Sequence, residues 1–129
     1  MPTKLTYSKI KAGGFDLTSN SVITSMMVAG TIPDGCAVRT LFSVDSGTTW
    51  NKLTIASGAA TFTAAATQAI TAASVLAEGN TPAELATVTS CPEMAGKVVY
   101  IAIAMQSNGT AVPTFGLTIN GTVGVSVYP

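Results

Sequence analysis

The chain of 129 residues has no histidine, so the side chain that most often serves as general base or metal ligand near neutral pH is missing. Its six carboxylates are spread along the sequence as Asp16, Asp34, Asp45, Glu78, Glu84 and Glu93. A paired-carboxylate hydrolase needs two of them to converge on one bond, a convergence that their spacing does not specify. Cys36 and Cys91 have no histidine partner for thiol catalysis. Two cysteines make no disulfide framework, and they read as small semi-buried thiols. Gly13-Gly14 lacks the lysine-serine context of a phosphate loop. No cluster has metal-ligand spacing. The expectation is a protein with no catalytic residue, no cofactor and no metal, and therefore not an enzyme.

One stretch does have its residue types in a defined order: Ser43-Val44-Asp45-Ser46-Gly47-Thr48-Thr49-Trp50. Its chemistry is that of a turn. Asp45 can accept hydrogen bonds from backbone N–H groups just downstream. Gly47 can take positive φ without steric cost. Ser43 and Thr49 face each other across the turn and can exchange hydroxyl bonds. Trp50 brings enough apolar area to pin the turn to a core.

The pattern S-x-D-x-G-x-T-W resembles the Asp-box, a β-hairpin motif known best from sialidase propellers. The resemblance covers eight residues. It implies a structural role for Ser43, Asp45, Gly47, Thr49 and Trp50, away from any catalytic centre. It does not extend to a sialidase. A propeller needs several four-stranded blades. This chain has one such box, no repeat at a period of about 40–50 residues, and a single arginine, Arg39.

The surrounding elements must position that turn. Residues 37–44 and 49–55 are rich in strand formers, among them Val38, Leu41, Phe42 and Ile55, and predict the two arms of a hairpin. Residues 21–28 read as an earlier strand, and Thr-Ile-Pro-Asp-Gly at 31–35 as a turn. Between 56 and 77, alanine favours helix and threonine favours strand. Short strands are expected there near 60–63 and 69–71. Thr81-Pro82-Ala83-Glu84 predicts a helix start, with Thr81 as N-cap, proline in the first turn and Glu84 closing a capping box. That helix should run over about 82–88, before Pro92.

Residues 97–106 form the clearest strand. Val98, Tyr100, Ala102 and Ala104 share one face, and Val99, Ile101, Ile103 and Met105 the other. Both faces are apolar, which predicts a central strand covered on both sides. Asn108-Gly109 and Asn120-Gly121 read as hairpin turns of a closing β-meander. The fold expected is all-β: an antiparallel, jelly-roll-like β-sandwich with one short helix near 82–88. It is one domain, with residues 1–36 supplying an N-terminal arm and the first strand or strands, and residues 37–129 the hairpin-containing sandwich. The lead-in carries one turn at Gly13-Gly14.

Only 9% of residues are charged, six Lys/Arg against six Asp/Glu, where soluble domains average about 25%. There is no basic stripe for nucleic acid, no apolar run of the ~18 residues that span a bilayer, and no signal-peptide pattern. A chain made in a cytoplasm would use its two N-x-T sequons, at Asn108 and Asn120, as turns rather than glycan acceptors. A sparsely charged surface of zero net charge is prone to self-association. Two readings follow: an uncharged, Thr/Ser-rich surface, or one largely buried in an assembly.

The order of features over residues 37–106 also resembles accessory structural modules of tailed bacteriophages. These features are the Asp-box hairpin, then Glu78-Gly79-Asn80-Thr81-Pro82-Ala83-Glu84-Leu85, then the apolar strand. The resemblance implies a β-rich decoration, fibre, tail or appendage component. It would be synthesised in the host cytoplasm, located in the virion, and active through contacts with other virion subunits or with copies of itself. The alternative is a carbohydrate-binding or host-surface adhesion module, which would stack surface glycans on exposed aromatics. Residues 1–36 lie outside the resemblance and could be an arm that docks on neighbours.

Overall fold

The computed structural model of the chain describes residues 6–10 and 15–128; the expected turn at Gly13-Gly14 lies outside them. Nine strands and two short helices are described: β1 (Thr6–Ile10), β2 (Phe15–Asp16), β3 (Ile23–Ala29), β4 (Ala37–Ser43), β5 (Asn51–Ala56), β6 (Ala59–Ala64), α1 (Ala72–Glu78), α2 (Pro82–Leu85), β7 (Val98–Gln106), β8 (Gly116–Gly121) and β9 (Gly124–Tyr128).

The strands form two antiparallel sheets. The larger, six-stranded sheet runs β1-β7-β4-β5-β6, with β2 pairing β7 beyond the end of β1. The smaller runs β3-β8-β9. β7 is central, as its two apolar faces predict. β4 pairs it from Ala37↔Gln106 to Ser43↔Tyr100, and β1 and β2 take its other side.

The alternation along β7 feeds two separate cores. Val99, Ile101, Ile103 and Met105 point between the sheets, where they meet Met26, Leu117 and Ile119 of the small sheet. Leu85, Val88, Cys91 and Met94, from α2 and the loop after it, join the same cluster. Ala102 and Ala104 point the other way, into a cluster with Leu41, Trp50 and Val75. Alanine at these two positions leaves room for a helix, and α1 lies over β4 and β7 there. The architecture is thus a sandwich with a helix on the outer face of the larger sheet.

Several expectations are corrected. Residues 69–71 are not a strand: Thr71 is the N-cap of α1, in a capping box with Ser74, so there are two short helices rather than one. The alanines over 72–78 settle as helix because the cap satisfies the first-turn N–H groups and Val75 is buried. α2 keeps the expected Thr81–Glu84 capping box but ends at Leu85. The last third is not a meander, because β7 and β8 belong to different sheets. Asn108 closes an Asx turn instead, its Oδ1 accepting from the N–H groups of Thr110 and Ala111. The final hairpin forms, with Asn120 paired to Gly124, so the reversal lies over 121–123.

Residues 30–36 and 107–115 both cross between the sheets, and they are tied together. Thr114 N–H donates to Thr31 C=O at 2.9 Å, and Asn108 Nδ2 to Asp34 C=O at 2.9 Å. The expected turn at 31–35 closes through Cys36 N–H to Pro33 C=O. The first 36 residues supply β1, β2 and β3. β1 and β2 pair with β7 in the large sheet and β3 with β8 in the small one.

Candidate functional site

The structure brings the five predicted motif residues together at the β4–β5 reversal. Ser43 Oγ donates to Asp45 Oδ1 at 2.7 Å and accepts from Gly47 N–H at 2.9 Å. The same Asp45 oxygen accepts from Thr49 N–H at 2.8 Å, and Thr48 N–H reaches Asp45 C=O. Gly47 sits at φ +87°, in the left-handed region that glycine enters freely. The expected hydroxyl exchange between Ser43 and Thr49 is replaced by a shared acceptor, since the Ser43 hydroxyl and the Thr49 N–H both donate to the Asp45 carboxylate. The carboxylate carries formal charge, so it outcompetes a neutral hydroxyl for both donors. Ser43's hydroxyl, followed by the Thr49 backbone, holds the Asp45 carboxyl below its ordinary value.

Trp50 is buried, against Leu41, Val75 and Ala102 on the helix side of the large sheet. Its backbone is held by a residue to which the sequence reading gave no role. Gln68 Oε1 accepts from Trp50 N–H at 2.7 Å, while Gln68 Nε2 donates to the carbonyls of Trp50 at 3.0 Å and Ala65 at 2.7 Å. One amide side chain thus does what a neighbouring strand would do.

Asn80 plays the same part more deeply. β4 and β5 pair only at Phe42↔Asn51 and then diverge. Asn80, 2% exposed, fills the gap. Its backbone exchanges both hydrogen bonds with Thr40, at 3.0 and 2.8 Å. Its side chain accepts from Leu53 N–H at 2.6 Å and donates to Leu53 C=O at 2.9 Å. The preceding glycine makes this approach possible: a Cβ on Gly79 would lie 2.7–2.8 Å from Val75 C=O and the Thr40 backbone. Nothing in an isolated Glu-Gly-Asn-Thr string announces this role, because its partners are 27 and 40 residues away.

A cleft of about 420 Å³ opens beside this wedge, lined by Lys52, Thr63, Glu78, Asn80 and Glu84 among others. Its two carboxylates and its amide side chain are already committed to the fold. Glu78 accepts from the N–H groups of Ala66 and Thr67, Glu84 closes the α2 cap, and Asn80 holds Leu53. Among the described residues no group of three His, Cys, Asp or Glu side chains is placed to hold a metal ion.

Asp16 serves its own turn, accepting from Thr18 Oγ1 and N–H, and this lowers its pKa. Glu93, given no role by the sequence reading, accepts from Phe62 N–H on the open side of β6. The two cysteines are free. Burial pushes the Cys91 thiol up to about 11, which keeps it protonated and unreactive near neutral pH. Cys36 donates weakly to Ala111 C=O.

Phe15, Phe42, Trp50 and Phe115 are buried, and Phe62 and Tyr100 are half-buried. Among the described residues no helix is long and apolar enough to cross a membrane. Comparisons with protein-family models, with curated proteins and with solved structures find no match to this chain.

Proposed function

We propose that this protein is a non-enzymatic structural component of a phage-like virion, a capsid decoration, head fibre or tail appendage, acting through contacts with other subunits. The observation that carries this reading is the commitment of its polar chemistry. Ser43, Asp45, Gly47 and Thr49 hold a turn, Glu78 and Glu84 hold loop and helix ends, and Glu93 holds a strand edge. These groups give the chain a rigid shape and leave little to act on a substrate. The Asp-box resemblance and the sparse charge fit the same role.

The adhesion alternative needs aromatic platforms. Burial removes Trp50, Phe15, Phe42 and Phe115 from that task, since a ring must present a free face to stack on a sugar.

The test is co-expression with the genes flanking its own, followed by density-gradient fractionation. The chain should sediment with assembled particles, in a fixed ratio to the major shell or tail protein. Recovery only at the top of the gradient, with particles formed, would contradict the proposal.

A further inference from the structure

Charge is distributed unevenly over this molecule. Residues 17–33 and 98–129 contain no charged side chain. These two segments build the whole small sheet, its end loops and both crossovers save residues 34–36 of the first. The described charged side chains Asp16, Arg39, Asp45, Lys52, Glu78, Glu84, Glu93 and Lys97 lie on the large sheet, the helices and their loops, and one more, Asp34, lies in the first crossover, two residues past Ile32.

The exposed large hydrophobics follow the same division. Val22, Met27, Ile32, Val112 and Val123 are 39–64% exposed, and all five lie in the charge-free segments around the small sheet. A sixth, Val98, begins β7 on the large sheet.

The five are spread from end to end. Val22 and Val123 sit together at one end, where Ser21 meets Thr122 and Asn20 Oδ1 accepts from Val123 N–H. Met27 stands mid-strand on β3, opposite Thr118 of β8. Ile32 and Val112 belong to the two crossovers joined at the other end. Between them the outward positions are small and neutral: Ser25, Ala29, Gly116 and Asn120.

The two outer faces of the sandwich are treated differently. α1 covers the large sheet. The β6 edge of that sheet is closed by Ser90 C=O on Ala60 N–H and by the Glu93 carboxylate on Phe62 N–H, a common protection against stray pairing. Among the described residues no helix lies over the outer face of β3-β8-β9, and Met27 at its middle is 61% exposed.

We propose that this charge-free face is where a second copy of the chain docks. The proposal rests on the assembly reading above and names its surface. Two arguments select the occupant. The first is complementarity: a face without charge meets its own copy with no like-charge cost, whereas a nucleic acid, an acidic protein or a charged membrane surface finds no counter-charge there. The second is size. Strands of five to seven residues at ~3.3 Å per residue and ~4.8 Å spacing give a plate of roughly 20 by 15 Å. The loop clusters at both ends lengthen it to roughly 35 Å, on the order of 500 Å² before side-chain relief, against about 800 Å² of accessible surface per partner in a standard interface. The small outward residues let two such plates approach closely, and Met27 supplies an adaptable apolar contact at the centre.

The test uses two double variants and sedimentation over a concentration series. Met27→Lys with Thr118→Glu places a favourable cross-strand pair on the face, so the sheet is retained while docking would have to desolvate two charges. Ala73→Glu with Ala77→Lys places an equivalent pair on exposed positions of α1. The wild type and the α1 variant should reach at least twice the 13.0 kDa chain mass. The face variant should stay monomeric, or associate roughly tenfold or more weakly, with an unchanged circular dichroism spectrum and a melting transition that stays cooperative but no longer depends on protein concentration.

Association of the face variant equal to wild type would overturn the assignment of the face while leaving the assembly reading intact. A wild type that remains a monomer throughout would overturn the docking of a second copy, and particle sedimentation would then decide the broader reading alone.

Discussion

Asn80 bridges the gap between β4 and β5, so truncating it leaves the buried N–H and C=O of Leu53 without partners. Asn80→Ala should destabilise the protein by about 2–4 kcal/mol, the range for losing paired bonds to buried backbone groups. Urea titration should show this as a lower midpoint with an unchanged slope; a loss within error of zero would mean that the two strands hold their spacing without the wedge. Asp45 and Asp16 give a pH-dependent counterpart. Both carboxyls are held below the ordinary aspartate value of 3.8, so the folded state binds fewer protons than the unfolded chain as pH falls past that value. Their contribution is present above it and is lost as pH drops through the depressed folded values. Asp45→Asn should therefore flatten part of the acid limb in denaturation measured between neutral pH and pH ~2.5. An acid limb identical to wild type would show that Ser43 and Thr49 do not favour the charged form.

At the scale of elements, β6 is an edge strand whose outward N–H groups have designated acceptors, Ser90 C=O for Ala60 and Glu93 for Phe62. Glu93→Ala should speed hydrogen exchange at the Phe62 amide while leaving Ala60 protected. Unchanged protection at Phe62 would contradict the capping role. These elements also show what the sequence could and could not reveal. The two-sided strand β7, the Thr81–Glu84 cap and the Ser43–Trp50 turn were legible because each depends on residues within a few positions of one another. Helix α1 was missed because alanine and threonine pull in opposite directions, and the deciding contact, Val75 on Leu41 and Ala102, is long-range. Gln68, Asn80 and Glu93 were missed for a related reason: each completes hydrogen bonds of backbone 18 to 40 residues away, and amide or carboxylate side chains carry no sign of such partners in local spacing. The Asn-Gly pair at 108–109 was read as a hairpin, yet its strands enter different sheets, a choice made by packing rather than by turn chemistry.

For the whole molecule, the sequence has only six positive and six negative side chains, and none of them belongs to the strands of the small sheet. That asymmetry ties the proposed structural role to the docking face, and it has a signature that charge-driven association lacks. Contacts between exposed charges weaken as salt shortens the screening length, to ~3 Å at 1 M, whereas burial of neutral and apolar surface does not depend on such attraction. Sedimentation velocity of the wild type across a concentration series, at low salt and again near 1 M salt, tests the account most directly. The account predicts reversible association beyond the 13.0 kDa chain that is equally strong or stronger at high salt. A single 13.0 kDa species at every concentration, or an oligomer that dissociates as salt rises, would contradict it.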